Sequence, residues 1–143
     1  MNVNQISVFL ENRTGKLAET TRILANEGID LRAINIAETA DYGILRMIVD
    51  DAERAASILL KHGCILTMTP VTVVGLLDQP ASLANLLDIF TEGEIDIEYM
   101  YALFTHVKGK AYMVFRVTDD EKLTKLLSAK GIAPVTKEEL GLN

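Results

Sequence analysis

Near the N-terminus apolar and polar positions alternate. Ile6, Val8 and Leu10 fall on one side and Gln5, Ser7 and Phe9 on the other, which predicts a strand. The interval then lengthens: Leu17, Thr21, Leu24 and Ala25 recur at helical spacing, in a helix that starts near Gly15 and ends at Gly28. Asp30 to Glu38 suits a second strand. A third follows, with Leu45, Met47 and Val49 on one face and Arg46 and Ile48 on the other. A second helix, Ala52 to His62, would bury Ala55, Ile58 and Leu59 and stop in a left-handed turn at Gly63. A short fourth strand leads to Pro70, which marks the end of the series.

The series then recurs. A shift of 66 positions brings Leu17 onto Leu83, Ala18 onto Ala84, Ile23 onto Ile89, Ile29 onto Ile95 and Asp30 onto Asp96. Farther along the shift is 68, and Val49 meets Val117, Asp51 meets Asp119, Glu53 meets Glu121, Leu59 meets Leu127 and Gly63 meets Gly131. The extra residues fall around Thr105 to Gly109, where a hairpin turn would absorb them. Self-similarity held through one small insertion marks a repeat rather than chance in a Leu-rich chain. The second copy supplies Thr72, Val74 and Leu76 for its first strand, and Pro80 at the opening of its first helix. Leu83, Leu87 and Phe90 form that helix's stripe, and Asp96 to Phe104 the second strand. Met113, Phe115 and Val117, with Val114 and Arg116 opposite, make the third strand. Leu123, Leu126 and Leu127 face inward from the last helix, before Gly131.

Strand, helix, strand, strand, helix, strand is the order of the ferredoxin-like split unit. The expected fold is therefore α+β: two ferredoxin-like βαββαβ units, residues 1–70 and 71–143, with antiparallel sheets, helices on one face, and the units side by side. The other sheet face would be left open, bearing Ile48, Val114 and Tyr112. Units this small are near the lower size for folding alone, so pairing or dimerisation is expected to cover what each leaves exposed.

Composition then narrows the class. Of 143 residues, 49% are apolar and 24% charged, the balance of a chain that buries a core. No apolar run approaches the roughly 20 residues of a membrane-spanning helix. The opening Met-Asn-Val-Asn-Gln lacks the basic and apolar regions of an export signal, so a cytoplasmic protein without a membrane partner is expected. The single cysteine, Cys64, excludes an internal disulfide and a multi-cysteine zinc site. The formal charge is −6, and from Val71 onward 7 Lys and Arg face 11 Asp and Glu. Tyr99, Tyr101, Phe104, Tyr112 and Phe115 lie on strands two and three of the second copy, where the first has Ala33, Asn35, Glu38, Ile44 and Met47. RNA-binding sheets stack bases on such aromatics. An anionic platform carrying Asp96 and Glu98 repels phosphate, however, so the aromatics are assigned to packing or self-association and no nucleic-acid partner is expected.

No catalytic, metal or cofactor constellation assembles. His62 falls at a helix C-terminus, where a cation is favoured, and His106 in the hairpin insertion; the two do not correspond between copies. Cys64, beside Ile65 and Leu66, suits a core position. The pairs Asp50-Asp51 and Asp119-Asp120, with Glu53 and Glu121, suit the positive end of a helix better than a metal.

The turn between strand one and helix one holds the remaining chemistry: Glu11-Asn12-Arg13-Thr14-Gly15-Lys16-Leu17, matched by Leu77-Asp78-Gln79-Pro80-Ala81-Ser82-Leu83. The first N–H groups of a helix lack internal partners and carry partial positive charge. Small residues such as Gly15 and Ala81 let a ligand carboxylate approach them. Asn12 and Asp78 either cap their helices or meet a ligand, Asn12 through its amide and Asp78 through an ammonium group.

Val8 to Leu17, followed by Gly28-Ile29-Asp30-Leu31, resembles the opening signature of ACT domains: a strand, an Asn/Asp-x-x-Gly-x-Leu turn, a helix, and Gly-Ile-Asn/Asp-Ile leading into strand two. The second copy resembles it through Asp78, Ala81 and Leu83, then Glu94-Ile95-Asp96-Ile97; it departs in having Ala81 and Glu94 where the family has glycine. The likeness spans practically the whole chain, as in stand-alone tandem ACT proteins. It implies a non-catalytic regulatory module that binds a small ligand, typically an amino acid, between the turn of one unit and strand two of its neighbour. Carried onto this chain, one site takes Asn12, Arg13, Thr14, Gly15, Lys16 and Leu17 with Asp96, Ile97 and Glu98. The other takes Asp78, Gln79, Pro80, Ala81, Ser82 and Leu83 with Asp30, Leu31 and Arg32. Arg13 and Lys16 would add attraction for a carboxylate. A homodimer and a metabolic enzyme partner are also implied. The alternative is a subunit that docks onto an enzyme without binding a ligand, as the similar ACT units of acetohydroxy acid synthase small subunits suggest.

Overall fold

The computed structural model of the chain describes residues 3–38, 41–104 and 107–143. The elements follow as β1 (Val3–Glu11), α1 (Lys16–Asn26), β2 (Leu31–Glu38), β3 (Tyr42–Val49), α2 (Ala52–Lys61), β4 (Leu66–Leu77), α3 (Ser82–Glu92), β5 (Ile97–Ala102), β6 (Lys110–Val117) and α4 (Asp120–Ala129). They form two compact units. One holds Asn4–Pro70 with Gly141–Asn143, the other Val71–Leu140 with Val3. The boundary falls inside β4, which passes through Pro70 as one strand.

In the first unit β3 pairs antiparallel with both β1 and β2, with Leu45 opposite Val8 on one side and Ile36 on the other. β4 begins beside β1, where the Phe9 N–H donates to the Ile65 carbonyl at 2.9 Å. Ile6, Val8, Leu10, Leu45, Met47 and Val49 share the face that receives Leu24 of α1 and Ala55 and Leu59 of α2. The second unit repeats this with β6 between β4 and β5. Val74, Phe115 and Val117 pack there with Leu86 and Phe90 of α3 and Leu123 and Leu127 of α4. Phe90 meets Phe115 edge-on, with ring centroids 5.0 Å apart. Phe115 is therefore a core residue rather than a surface aromatic. Each unit is α+β and ferredoxin-like, with its helices on one face.

The helix ends are also duplicated. α2 starts at Asp51, whose carboxylate accepts the Arg54 N–H at 3.2 Å, and α4 starts at Asp119, which accepts the Lys122 N–H at 3.1 Å. These side-chain caps supply partners to donors a helix otherwise leaves orphaned. From the same two helices Arg54 Nη2 donates to the Glu27 carbonyl at 2.6 Å, and Lys122 Nζ to the Glu94 carbonyl at 2.8 Å. Each cation thus sits at the negative end of the neighbouring helix. His62 caps the C-terminus of α2, with ring Nδ1 2.9 Å from the Ile58 carbonyl. Thr105 and His106 lie outside the described residues; the turn beyond them closes with the Lys110 N–H donating to the Val107 carbonyl.

Three expectations change. Pro80 lies in the turn, before the N-cap Ala81, and does not open α3. The second copy forms no regular fourth strand among the described residues: past Gly131 the ladder is carried by the Val135 N–H donating to the Val73 carbonyl at 2.8 Å. Pro134 has no N–H to extend it. Finally, the face away from the helices is not open at Ile48 and Val114, both fully buried, and Tyr112 is half-buried. Ala33, opposite Ile48, and Tyr101 and Val73, opposite Val114, are buried on that same face. Withdrawing such apolar side chains from water is worth about 1.5–3 kcal/mol each for the larger ones, so a face of this composition is covered.

Candidate functional site

Two turns of different sequence have one backbone. After β1 the Arg13 N–H donates to the Glu11 carbonyl at 2.9 Å, Lys16 N–H to Arg13 at 3.3 Å, and Glu19 N–H to Gly15 at 2.9 Å. Leaving β4, the bonds run from Gln79 to Leu77 at 2.9 Å, from Ser82 to Gln79 at 3.4 Å, and from Asn85 to Ala81 at 2.9 Å. Gly15, with φ of 86°, and Ala81, with φ of 72°, are both left-handed N-caps. No side chain caps either helix. Asn12 and Asp78 therefore do not occupy the N-cap position, where a left-handed residue stands. The first N–H of each helix, from Lys16 and from Ser82, is satisfied inside its own turn by the Arg13 and Gln79 carbonyls.

In the first unit this turn borders a cavity of about 160 Å³, lined by Leu10, Glu11, Asn12, Arg13, Lys16, Leu17, Ile36 and Gly43. Thr14 and Gly15 shape the turn without lining the cavity. Ile36 and Gly43 were not anticipated. Strand register brings them in: Glu38 lies opposite Gly43, and Gly43 opposite Leu10. The cations are engaged. Arg13 reaches Glu11 at 3.3 Å and Glu19 at 3.2 Å, and Lys16 Nζ lies 3.7 Å from Glu19. Pairs this exposed contribute about 0–1 kcal/mol and exchange readily. The cavity thus offers an apolar floor of Leu10, Leu17 and Ile36, an amide at Asn12, and charges of both signs at its rim.

The corresponding turn of the second unit is tied to its hairpin. Asp78 donates its N–H to the Gly109 carbonyl at 2.8 Å. A cavity of about 240 Å³ in this unit is lined by Gly75, Leu76, Leu77, Lys110, Tyr112, Ala133, Val135 and Glu139, and includes none of Asp78, Gln79, Pro80, Ala81, Ser82 or Leu83.

The strand-two segments named as site walls make hydrogen bonds within their own units. The Asp30 carbonyl accepts the Asp50 N–H at 3.0 Å, and the Asp96 carbonyl accepts the Thr118 N–H at 3.1 Å. Arg32 Nε bonds the Asp30 carboxylate at 2.9 Å, and Asp30 N–H donates to Asp50 Oδ1 at 3.0 Å. Asp30 and Leu31 also line a cavity of about 320 Å³ with Thr21, Arg22, Leu24, Ala25 and Ile29. Ile97 pairs with Val117, and Glu98 with Arg116 at 3.2 Å, which in turn holds Asp120. Cys64 packs against the first core, and burial pushes its thiol up from the ordinary value, which does not favour a nucleophile. Among the described residues no cluster of His, Cys, Asp and Glu is placed to hold a metal ion, and no helix is long and apolar enough to cross a membrane.

The duplicated turn, helix and sheet find their match in one family. The profile of the ACT domain pair covers residues 1–142. The chain belongs to that family. As an ACT domain pair it is a regulatory module and not an enzyme. It is similar to protein BT0572 from Bacteroides thetaiotaomicron, whose crystal structure superposes with a TM-score of 0.90 at 35% identity over 99% of this chain and 96% of that one. The regulatory subunit of aspartate kinase from Thermus thermophilus, in ligand-free form, shares the fold with a TM-score of 0.67 at 17% identity over 92% of each chain. The corresponding subunit from Thermus flavus gives 0.61 at 14% identity, over 90% of this chain and 92% of that one. No curated protein matches the sequence.

Proposed function

We propose that this ACT domain pair is a cytoplasmic sensor that binds an amino acid at the Asn12–Leu17 turn and passes the bound state to a metabolic enzyme or to a second copy of itself. The two modules are taken as residues 1–70 and 71–143. In this reading the first turn works with Asp96, Ile97 and Glu98, and the second, Asp78 to Leu83, with Asp30, Leu31 and Arg32. The observation that carries it is the cavity beside the first turn, at the N-terminus of α1, where Asn12, Arg13 and Lys16 share the lining with Leu10, Leu17 and Ile36. A carboxylate suits a helix N-terminus, and Leu10, Leu17 and Ile36 suit a side chain. Ligand binding changes function only by favouring one arrangement over another, so the affinity for amino acid and for partner must be linked. The docking alternative is weakened by the burial of Ile48 and Val114, the face residues that would have served it.

Titration calorimetry of the full chain against the standard amino acids tests the proposal. At least one is expected to bind, with Asn12→Ala weakening it about tenfold, the cost of about 1.4 kcal/mol for one lost hydrogen bond to a charged group. Absence of heat for every amino acid at millimolar concentration would overturn ligand sensing. Light scattering with and without the bound amino acid tests whether a homodimer responds.

A further inference from the structure

A second cavity in the first unit, of about 230 Å³, adjoins the one at the Asn12 turn and shares Leu10, Glu11 and Lys16 with it. The rest of its lining is Phe9, Asp41, Tyr42 and the segment from His62 to Ile65. The Phe9 and Tyr42 rings lie 5.6 Å apart and tilted by 43°. They are 48% and 42% exposed, and Ile65 is 69% exposed. Apolar side chains held in water around one concavity mark a place where a ligand would bury them. Phe9 and Tyr42 lie opposite Ile44 and Glu11, on the sheet face away from the helices. Leu10 and Cys64 belong to the helix side, so the cavity sits at the rim where β4 begins. Lys16 is close enough for its ammonium to act on the Cys64 thiol, partly offsetting the effect of burial. At 3.7 Å from Glu19 it is also loosely held, against the roughly 2.7–2.9 Å of a charge-assisted hydrogen bond.

The second unit does not repeat this arrangement. Gly75 stands in place of Phe9, Lys110 in place of Tyr42, Ala133 in place of Ile65 and Ile132 in place of Cys64. A Cβ at Gly75 would already lie 3.3 Å from the Tyr112 ring, so no aromatic fits there unless Tyr112 moves. Both copies fold alike, so the aromatic wall is not something the fold requires.

We propose that this cavity is a second binding site, for a small aromatic carboxylate whose ring lies against Phe9 and Tyr42 and whose anionic group points to Lys16. Its volume, below the roughly 300 Å³ at which drug-sized pockets begin, suits a single ring. Glu11 and Asp41 on the rim disfavour a multiply charged anion such as a phosphate ester.

Cys64 is the chain's single cysteine and lines the site, so its alkylation by iodoacetamide reports occupancy of the full chain. Benzoate at ten times its dissociation constant is expected to slow alkylation about tenfold, as the factor 1 + [L]/Kd requires. Benzamide and cyclohexanecarboxylate should protect far less. Tyr42→Lys and Lys16→Gln should abolish protection by benzoate, and Tyr42→Phe should keep it. Benzoate should also move the amide resonances of Tyr42 and Cys64. Absence of protection up to the solubility limit, or equal protection by benzamide or cyclohexanecarboxylate, would overturn the proposal. So would resonance changes confined to Asn12, Leu17 and Ile36, which would place the probe in the neighbouring cavity.

Discussion

The two units solve the same backbone problem with different residues. At the turn before the first helix, the first unit uses Gly15 and the second Ala81. At the turn after it, the first uses Gly28, with φ of 72°, and the second Glu94, with φ of 56°. A left-handed residue with a side chain costs about 1–2 kcal/mol. The second unit carries that cost twice yet keeps the matching hydrogen bonds, from Asn85 to Ala81 and from Ile95 to Phe90. Glycine is thus the relaxed choice for this turn, and the surrounding bonds enforce it even without one. The two units differ in the side chains beside this backbone: the cavity at the first turn is lined by Asn12, Arg13, Lys16 and Leu17, whereas the cavity described in the second unit reaches its turn only at Leu77.

The contrast breaks most readily at the cores. Phe90→Ala should destabilise by about 3–5 kcal/mol and Leu24→Ala, its counterpart, by about 2–5 kcal/mol, because both are fully buried. Hydrogen exchange read separately for each unit should show the loss concentrated where the substitution lies; equal loss in both would mean that they unfold as one. Exchanging the turn residues has a smaller effect and opposite signs. Gly15→Ala should cost about 1 kcal/mol through its backbone alone, since an added Cβ meets nothing within 4 Å. Ala81→Gly and Glu94→Gly should each stabilise by about 1 kcal/mol, as shifts in denaturation midpoint. A loss of stability in either would show that its side chain offsets the strain.

The smallest effect concerns pH. Burial raises the Cys64 thiol, so above the ordinary thiol range the folded chain keeps a proton that the unfolded chain has released. Stability attributable to this group therefore falls as pH rises through that range. Melting temperature should drop slightly more steeply in alkaline buffer for the wild type than for Cys64→Ala, and identical slopes would remove Cys64 from the account.

Much of this was legible in the residue pattern. The alternation of Ile6, Val8 and Leu10 and the stripes ending at Gly63 and Gly131 placed the core faces, because burial repeats with the period of each element. The acidic pairs were read as helix-end charges, and Asp51 and Asp119 are side-chain caps. The irregular last segment was less legible, although Pro134 was a visible warning. The cavity at the first turn was legible only in part: Asn12, Arg13, Lys16 and Leu17 follow from the motif. Ile36 and Gly43 arrive through strand register, which depends on pairing between residues distant in sequence. The buried face at Ile48 and Val114 was misread because alternation says which residues share a face and not what lies over it.

The paired clasps on the helix ends have a chemical consequence. Arg54 and Lys122 occupy equivalent positions and hold equivalent termini. A guanidinium stays charged across the physiological range, whereas an amine is a target for acylation. Neutralising lysines would slacken the end of α3 and leave α1 fastened, so duplication has given only one of the two helix pairs a release that modification enzymes could operate.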